Sequence, residues 1–125
     1  MKPRDVARGV ALGRVAFGVA MLVAPKRVAA SWVGAAHAER PAVQALMRSI
    51  GIRDLVIGMI ALHTVDHPEV GPRWQATCAA VDAVDLLATV AAASDLPAAG
   101  VAGTSLIAGG AAAAGLWCSR GLKQA

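Results

Sequence analysis

Four long apolar stretches alternate along the chain with short clusters of proline, glycine and charged residues. The last is the cleanest, since no charged residue stands between Leu96 and Ser119. That run matches the ~20 residues a helix needs to cross a hydrocarbon core. Trp74 to Ala93 is apolar except for Asp82 and Asp85, and Ala42 to Leu62 is apolar except for Arg48, Arg53 and Asp54. The first stretch, Val6 to Ala24, carries Arg8 near its N-terminal end and Arg14 inside. Breakers at Pro25, at Pro41, from Asp66 to Pro72 and from Ser94 to Pro97 separate the four. The pattern predicts an all-α, four-helix transmembrane bundle in one domain over 1–125, with spans near 6–24, 42–63, 74–93 and 97–118. Between the first two spans, Lys26 to Gly34 has a basic start and sets Val28 and Trp32 one turn apart, which suits an optional short helix in the interface.

Composition supports the same solvent. Hydrophobic residues make up 57% and charged residues 16%, against about 45–50% and about 25% in soluble domains. The apolar content is mostly Ala, Val, Leu and Gly, with one Phe, three Trp and no Tyr. Small residues let helix backbones approach one another in a membrane, where bulky core fillers are not needed. Small-residue spacings recur: Gly9 and Gly13, the stripe Ala7, Ala11, Arg14 and Gly18, the stripe Gly51, Asp54, Gly58 and Ala61, and the pair Ala111 and Gly115. All are expected to mark close helix packing.

The net charge of +4 does not point to nucleic acid, because the basic residues are scattered and no aromatic platform accompanies them. It fits membrane orientation and anionic headgroups. Counting Lys and Arg, the N-terminus, the second connection and the C-terminus hold Lys2, Arg4, Arg8, Arg73, Arg120 and Lys123, whereas Lys26, Arg27 and Arg40 lie on the other side. Both termini are therefore expected in the cytoplasm. A cleavable leader is disfavoured, since Arg14 leaves an uncharged run only from Val15 to Pro25.

The charges within the spans are the candidate site: Arg14, Arg48, Arg53, Asp54, Asp82 and Asp85. On the third span Cys78, Asp82, Asp85 and Thr89 follow at intervals that place them on one helix face. A carboxylate near the bilayer centre costs ~2.5–3.5 kcal/mol on insertion scales, so this face should turn inward and find partners. Three arginines and three aspartates permit full pairing. Arg14 and Arg53 are the expected counter-ions of Asp82 and Asp85. Arg53 and Asp54, about 100° apart on the helix, are expected to address different neighbours, with Asp54 turned along the Gly51 to Ala61 seam.

Other chemistry lacks parts. His63 and His67, with Asp66 between them, make half of a metal site, but Pro68 follows and only His37 remains, so no metal is expected. Cys78 and Cys118 have no metal or disulfide spacing and read as buried thiols. No serine or cysteine is linked to a histidine by a catalytic motif, Gly109-Gly110 lacks the lysine of a phosphate loop, and no motif calls for a cofactor.

The segments Gly13-Arg14, Ala24 to Arg27 through Trp32-Val33-Gly34, Gly51-Ile52-Arg53-Asp54-Leu55 with Gly58, and Val81 to Asp85 resemble a family of small uncharacterised bacterial four-helix integral membrane proteins. The resemblance covers most of the chain. It implies a shared fold and a bacterial plasma-membrane setting, and no activity. The role expected from these readings is a non-enzymatic accessory or scaffold protein, packed with itself as a homo-oligomer or in a larger membrane complex. The alternatives are a proton- or ion-coupled transporter or channel component using Asp82 and Asp85, and a membrane enzyme or small lipophilic-ligand-binding protein.

Overall fold

Proline sets the punctuation of the fold. In the computed structural model, which describes residues 1–124, Pro3, Pro25 and Pro41 each open a helix at the first position, where a missing N–H costs nothing. The elements are α1 (Pro3–Val23), α2 (Pro25–Val33), α3 (Ala35–Ala38), α4 (Pro41–Thr64), α5 (Val70–Ala91) and α6 (Ala98–Lys123), with one 3-10 turn at Ala93–Asp95 before α6. The chain is all-helical, with no strand among the described residues.

Two features differ from the pattern in an informative way. Helix α5 begins at Val70 rather than near Trp74, because Gly71 and Pro72 occupy its first turn, and a proline there loses no helix hydrogen bond. Its start is fastened by the ring of His67, whose Nδ1 accepts the N–H of Glu69 at 3.4 Å and of Val70 at 3.2 Å. The short helix after the first stretch is present as α2, and Gly34 ends it with φ +90°, a conformation that L side chains rarely adopt. The extra turn α3, absent from the sequence reading, follows at once.

Two of the six helices, α1 and α6, are long and apolar enough to cross a membrane. Helices α4 and α5 have comparable length, 24 and 22 residues, but carry Arg53, Asp54, Asp82 and Asp85.

Helix α1 packs most extensively on α4, and α5 on α6. The α1–α4 contact runs along two matching stripes, Ala7, Ala11, Arg14, Gly18 and Met21 on one side and Met47, Gly51, Asp54, Gly58 and Ala61 on the other. Here glycine is required by proximity. A Cβ at Gly18 would lie 2.7 Å from the backbone of Gly51 and Leu55, and one at Gly58 would lie 2.9 Å from the carbonyl of Ala11. By contrast Gly9 and Gly13, expected to form a packing pair, face open space, with nothing within 4 Å of an added Cβ.

The start of α1 and the end of α6 lie together. A Cβ at Gly121 would meet Pro3 at 2.5 Å, and the Cys118 thiol donates to the Pro3 carbonyl at 3.3 Å. Arg4 and Arg8 both pair with Asp66 from the α4–α5 connection, at 3.0 and 2.6 Å. At the opposite end α2 rests on a cluster of Met21, Ala29, Ala38 and Met47, and the Trp32 carbonyl presses on Gly100 of α6.

Candidate functional site: a cavity floored by an ion network

Each network residue is delivered by a helix stripe. Arg14 lies on the buried face of α1, Asp54 on that of α4 and Asp82 on that of α5, so the three helices converge on one ionic cluster. Arg14 Nη2 donates to both oxygens of Asp82 at 2.5 and 2.6 Å, and its Nη1 donates to Asp54 Oδ1 at 3.2 Å. Arg53 forks onto Asp85, with Nη1 to Oδ1 at 3.2 Å and Nη2 to Oδ2 at 2.7 Å. It also reaches its own neighbour, donating from Nε and Nη2 to Asp54 Oδ1 at 3.3 and 3.2 Å. Asp54 thus bridges the two arginines.

The network is graded in burial. The side chains of Arg14, Asp82 and Asp54 are 7%, 8% and 10% exposed, whereas those of Arg53 and Asp85 are 35% and 28% exposed. The first trio is the dry end of the cluster and the second pair its open end.

Arg14 and Arg53, the counter-ions expected for the Asp82 and Asp85 face, divide it between them, Arg14 on Asp82 and Arg53 on Asp85. Two expectations are corrected. Arg53 and Asp54 do touch, because a long arginine side chain spans the 100° between adjacent positions. Arg48 stands outside the network: it is exposed, next to the buried Met47 rather than on its stripe, and forms no ion pair among the described residues. Thr89 is buried on the same face of α5 but spends its hydroxyl on the Asp85 carbonyl of its own helix, at 2.9 Å. His63 is exposed at the end of α4, against the Met59 carbonyl. No cluster of three metal-ligating side chains occurs among the described residues. Both cysteines are buried free thiols.

Above the network lies a cavity of 570 Å³, whose walls the sequence did not reveal. All five network residues line it, and the rest of its wall is chiefly apolar, from α1 (Val10, Phe17), α2 (Val28, Trp32) and α6 (Ile107, Ala108). Helices α1 and α6 meet where Ala7 packs with Cys118, and toward the other end Trp32 stands against Gly100. The cavity occupies the interval between. Phe17 and Ile107 line it and are nevertheless 44% and 64% exposed, which places its mouth near the middle of α1 and α6 rather than at a helix end. Gly13 and Gly103 also line it, and an added Cβ at either meets nothing within 4 Å. The volume falls in the ~300–1,000 Å³ range of small-molecule pockets, and apolar walls with a few convergent polar groups are their usual composition.

No known protein family, no curated protein and no solved structure matches the chain.

Proposed function

We propose that this is a multi-pass membrane protein that binds a small amphiphilic molecule, taken up from the hydrocarbon layer with its polar end at the Arg/Asp network. The membrane reading is supported by inverted polarity. Leu87, Leu106 and Ile107 are 67%, 76% and 64% exposed, while Arg14, Gln75 and Asp82 are 9%, 3% and 6% exposed. In water that distribution would expose large apolar area and bury charge, both unfavourable; in lipid it is the expected one. Helices α1, α4, α5 and α6 then form a four-helix transmembrane bundle, α2 lies at the interface, and both termini share the cytoplasmic side.

The observation that carries the ligand reading is the mid-helix mouth at Phe17 and Ile107. In a bilayer such an opening faces acyl chains, so the molecule that enters it is lipophilic. Of the small-residue seams that motivated an accessory role, Gly18, Gly51 and Gly58 are spent in the α1–α4 contact and Gly115 against Ala79 in the α5–α6 contact, while Gly9 and Gly13 stay uncovered.

Photolabelling tests this reading. A diazirine-bearing fatty alcohol irradiated in vesicles with the protein should label Phe17, Trp32 and Ile107 saturably, with competition by unlabelled alcohol. Gly103→Phe, which places a ring in open space beside the mouth, should lower that labelling several-fold. Uniform, unsaturable labelling of Leu12, Leu87 and Leu106 alike, with no preference for the cavity wall, would contradict it.

A further inference from the structure

The cavity has a charge imbalance of its own. Its lining includes Arg14, Arg53, Asp54, Asp82 and Asp85 and no other charged side chain. Two guanidinium groups against three carboxylates leave one negative charge, and Arg48, which would have closed the count, is on the outside.

The imbalance has an address. Asp82 receives Arg14 on both oxygens, and Asp85 receives Arg53 on both. On Asp54 every arginine N–H converges on Oδ1. No hydrogen bond from the described residues reaches its Oδ2, although the residue is only 7% exposed and lines the cavity. Of the six carboxylate oxygens in the network, Asp54 Oδ2 is the one without a donor. That oxygen is not fully enclosed, and with its residue lining the cavity it is open to a donor there.

The aromatic walls suit a cation, and Trp32 Nε1, buried without a partner, leaves a donor for an acceptor on the same molecule. The chain has one Phe and three Trp, and two of these four aromatic side chains, Phe17 and Trp32, line the cavity. Aromatic faces attract cations, more so when both are withdrawn from water. An anionic ligand would raise the surplus negative charge to two, and a neutral one would leave it unchanged. A cation cancels it, and a charged N–H donor makes the stronger type of hydrogen bond to a carboxylate.

Resting on the ligand-binding reading above, we propose that the occupant is a lipophilic organic monocation. Its protonated amine, or an equivalent N–H⁺ group, binds Asp54 Oδ2, and its apolar body runs outward along Phe17, Trp32 and Ile107.

Three probes with one chain and different heads test this: decylammonium, decanol and decanoate, titrated calorimetrically at neutral pH into the protein in zwitterionic nanodiscs, with empty discs subtracted. The expected order is decylammonium at least tenfold tighter than decanol, with decanoate weakest. Asp54→Asn should erase the preference for ammonium over the alcohol while decanol still binds. If that variant fails to fold, the wild-type order of the three heads decides alone. Saturable binding that is equal for all three, or tightest for decanoate, overturns the cation and leaves the pocket standing. Saturable binding of none overturns both.

Discussion

Arg14 and Asp82, nearly sealed from their surroundings, depend on each other in a way that Arg53 and Asp85 do not. Removing one member of a buried ion pair strands the other, a loss of about 3–5 kcal/mol, whereas removing both costs much less than the sum. Arg14→Ala and Asp82→Ala are each expected to destabilise the protein on that scale in mixed-micelle unfolding, with strong coupling in the double-mutant cycle. Arg53→Ala should cost less, because Asp54 keeps Arg14 as a partner and Asp85 lies at the less buried end of the cluster. Arg48→Ala should stay within about 0.5 kcal/mol of wild type. Additive losses for Arg14 and Asp82, or a large loss for Arg48, would contradict this account. Helical spacing made the inward face of Asp82 and Asp85 legible, since a doubly acidic stripe on an apolar helix has nowhere else to turn. It could not separate Arg48 from Arg53. A charge count carries no angle, and Arg48 lies one position beyond the buried Met47, far enough around the helix to leave the seam.

The contacts between elements rest on small residues, and there the glycines divide into two kinds. Gly18 is held against the backbone of α4, so a single methyl group must force the helices apart. Gly18→Ala should destabilise by about 1–3 kcal/mol, as overpacked cores do. Gly9→Ala meets no neighbour within 4 Å, and since alanine favours helix by about 1 kcal/mol over glycine, stability should hold or rise. Equal effects at the two positions, measured in the same unfolding assay, would contradict the packing described. Both glycines fall at small-residue spacings in the sequence, yet only one is in contact, because spacing fixes a shared face and not which face is covered. The four long helices, and α2 between the first two, were legible from apolar runs and prolines. The early start of α5 was not, because Gly71-Pro72 reads as a breaker unless it falls in a first turn. The walls of the cavity were illegible for a simpler reason: Val10, Val28, Ile107 and Ala108 are ordinary apolar residues, and only the separation of α1 from α6 makes them a lining.

For the whole molecule, the charged interior, the apolar exterior and the opening at mid-height form one arrangement. Four helices of small residues pack closely enough to bring Arg14, Asp54 and Asp82 together. That packing leaves a gap walled by α1, α2 and α6 and floored by the network. A purely structural ion cluster would not require 570 Å³ of space above it, nor a mouth near the middle of α1 and α6. The measurement that tests the central claim most directly is native mass spectrometry of the protein released gently from its own membrane, for wild type and Gly103→Phe side by side. A small lipophilic molecule should be retained at one per chain by the wild type and lost from the variant. Wild-type protein that emerges with its cavity consistently empty, or held only to a larger subunit in fixed stoichiometry, would contradict it and return the accessory role to first place.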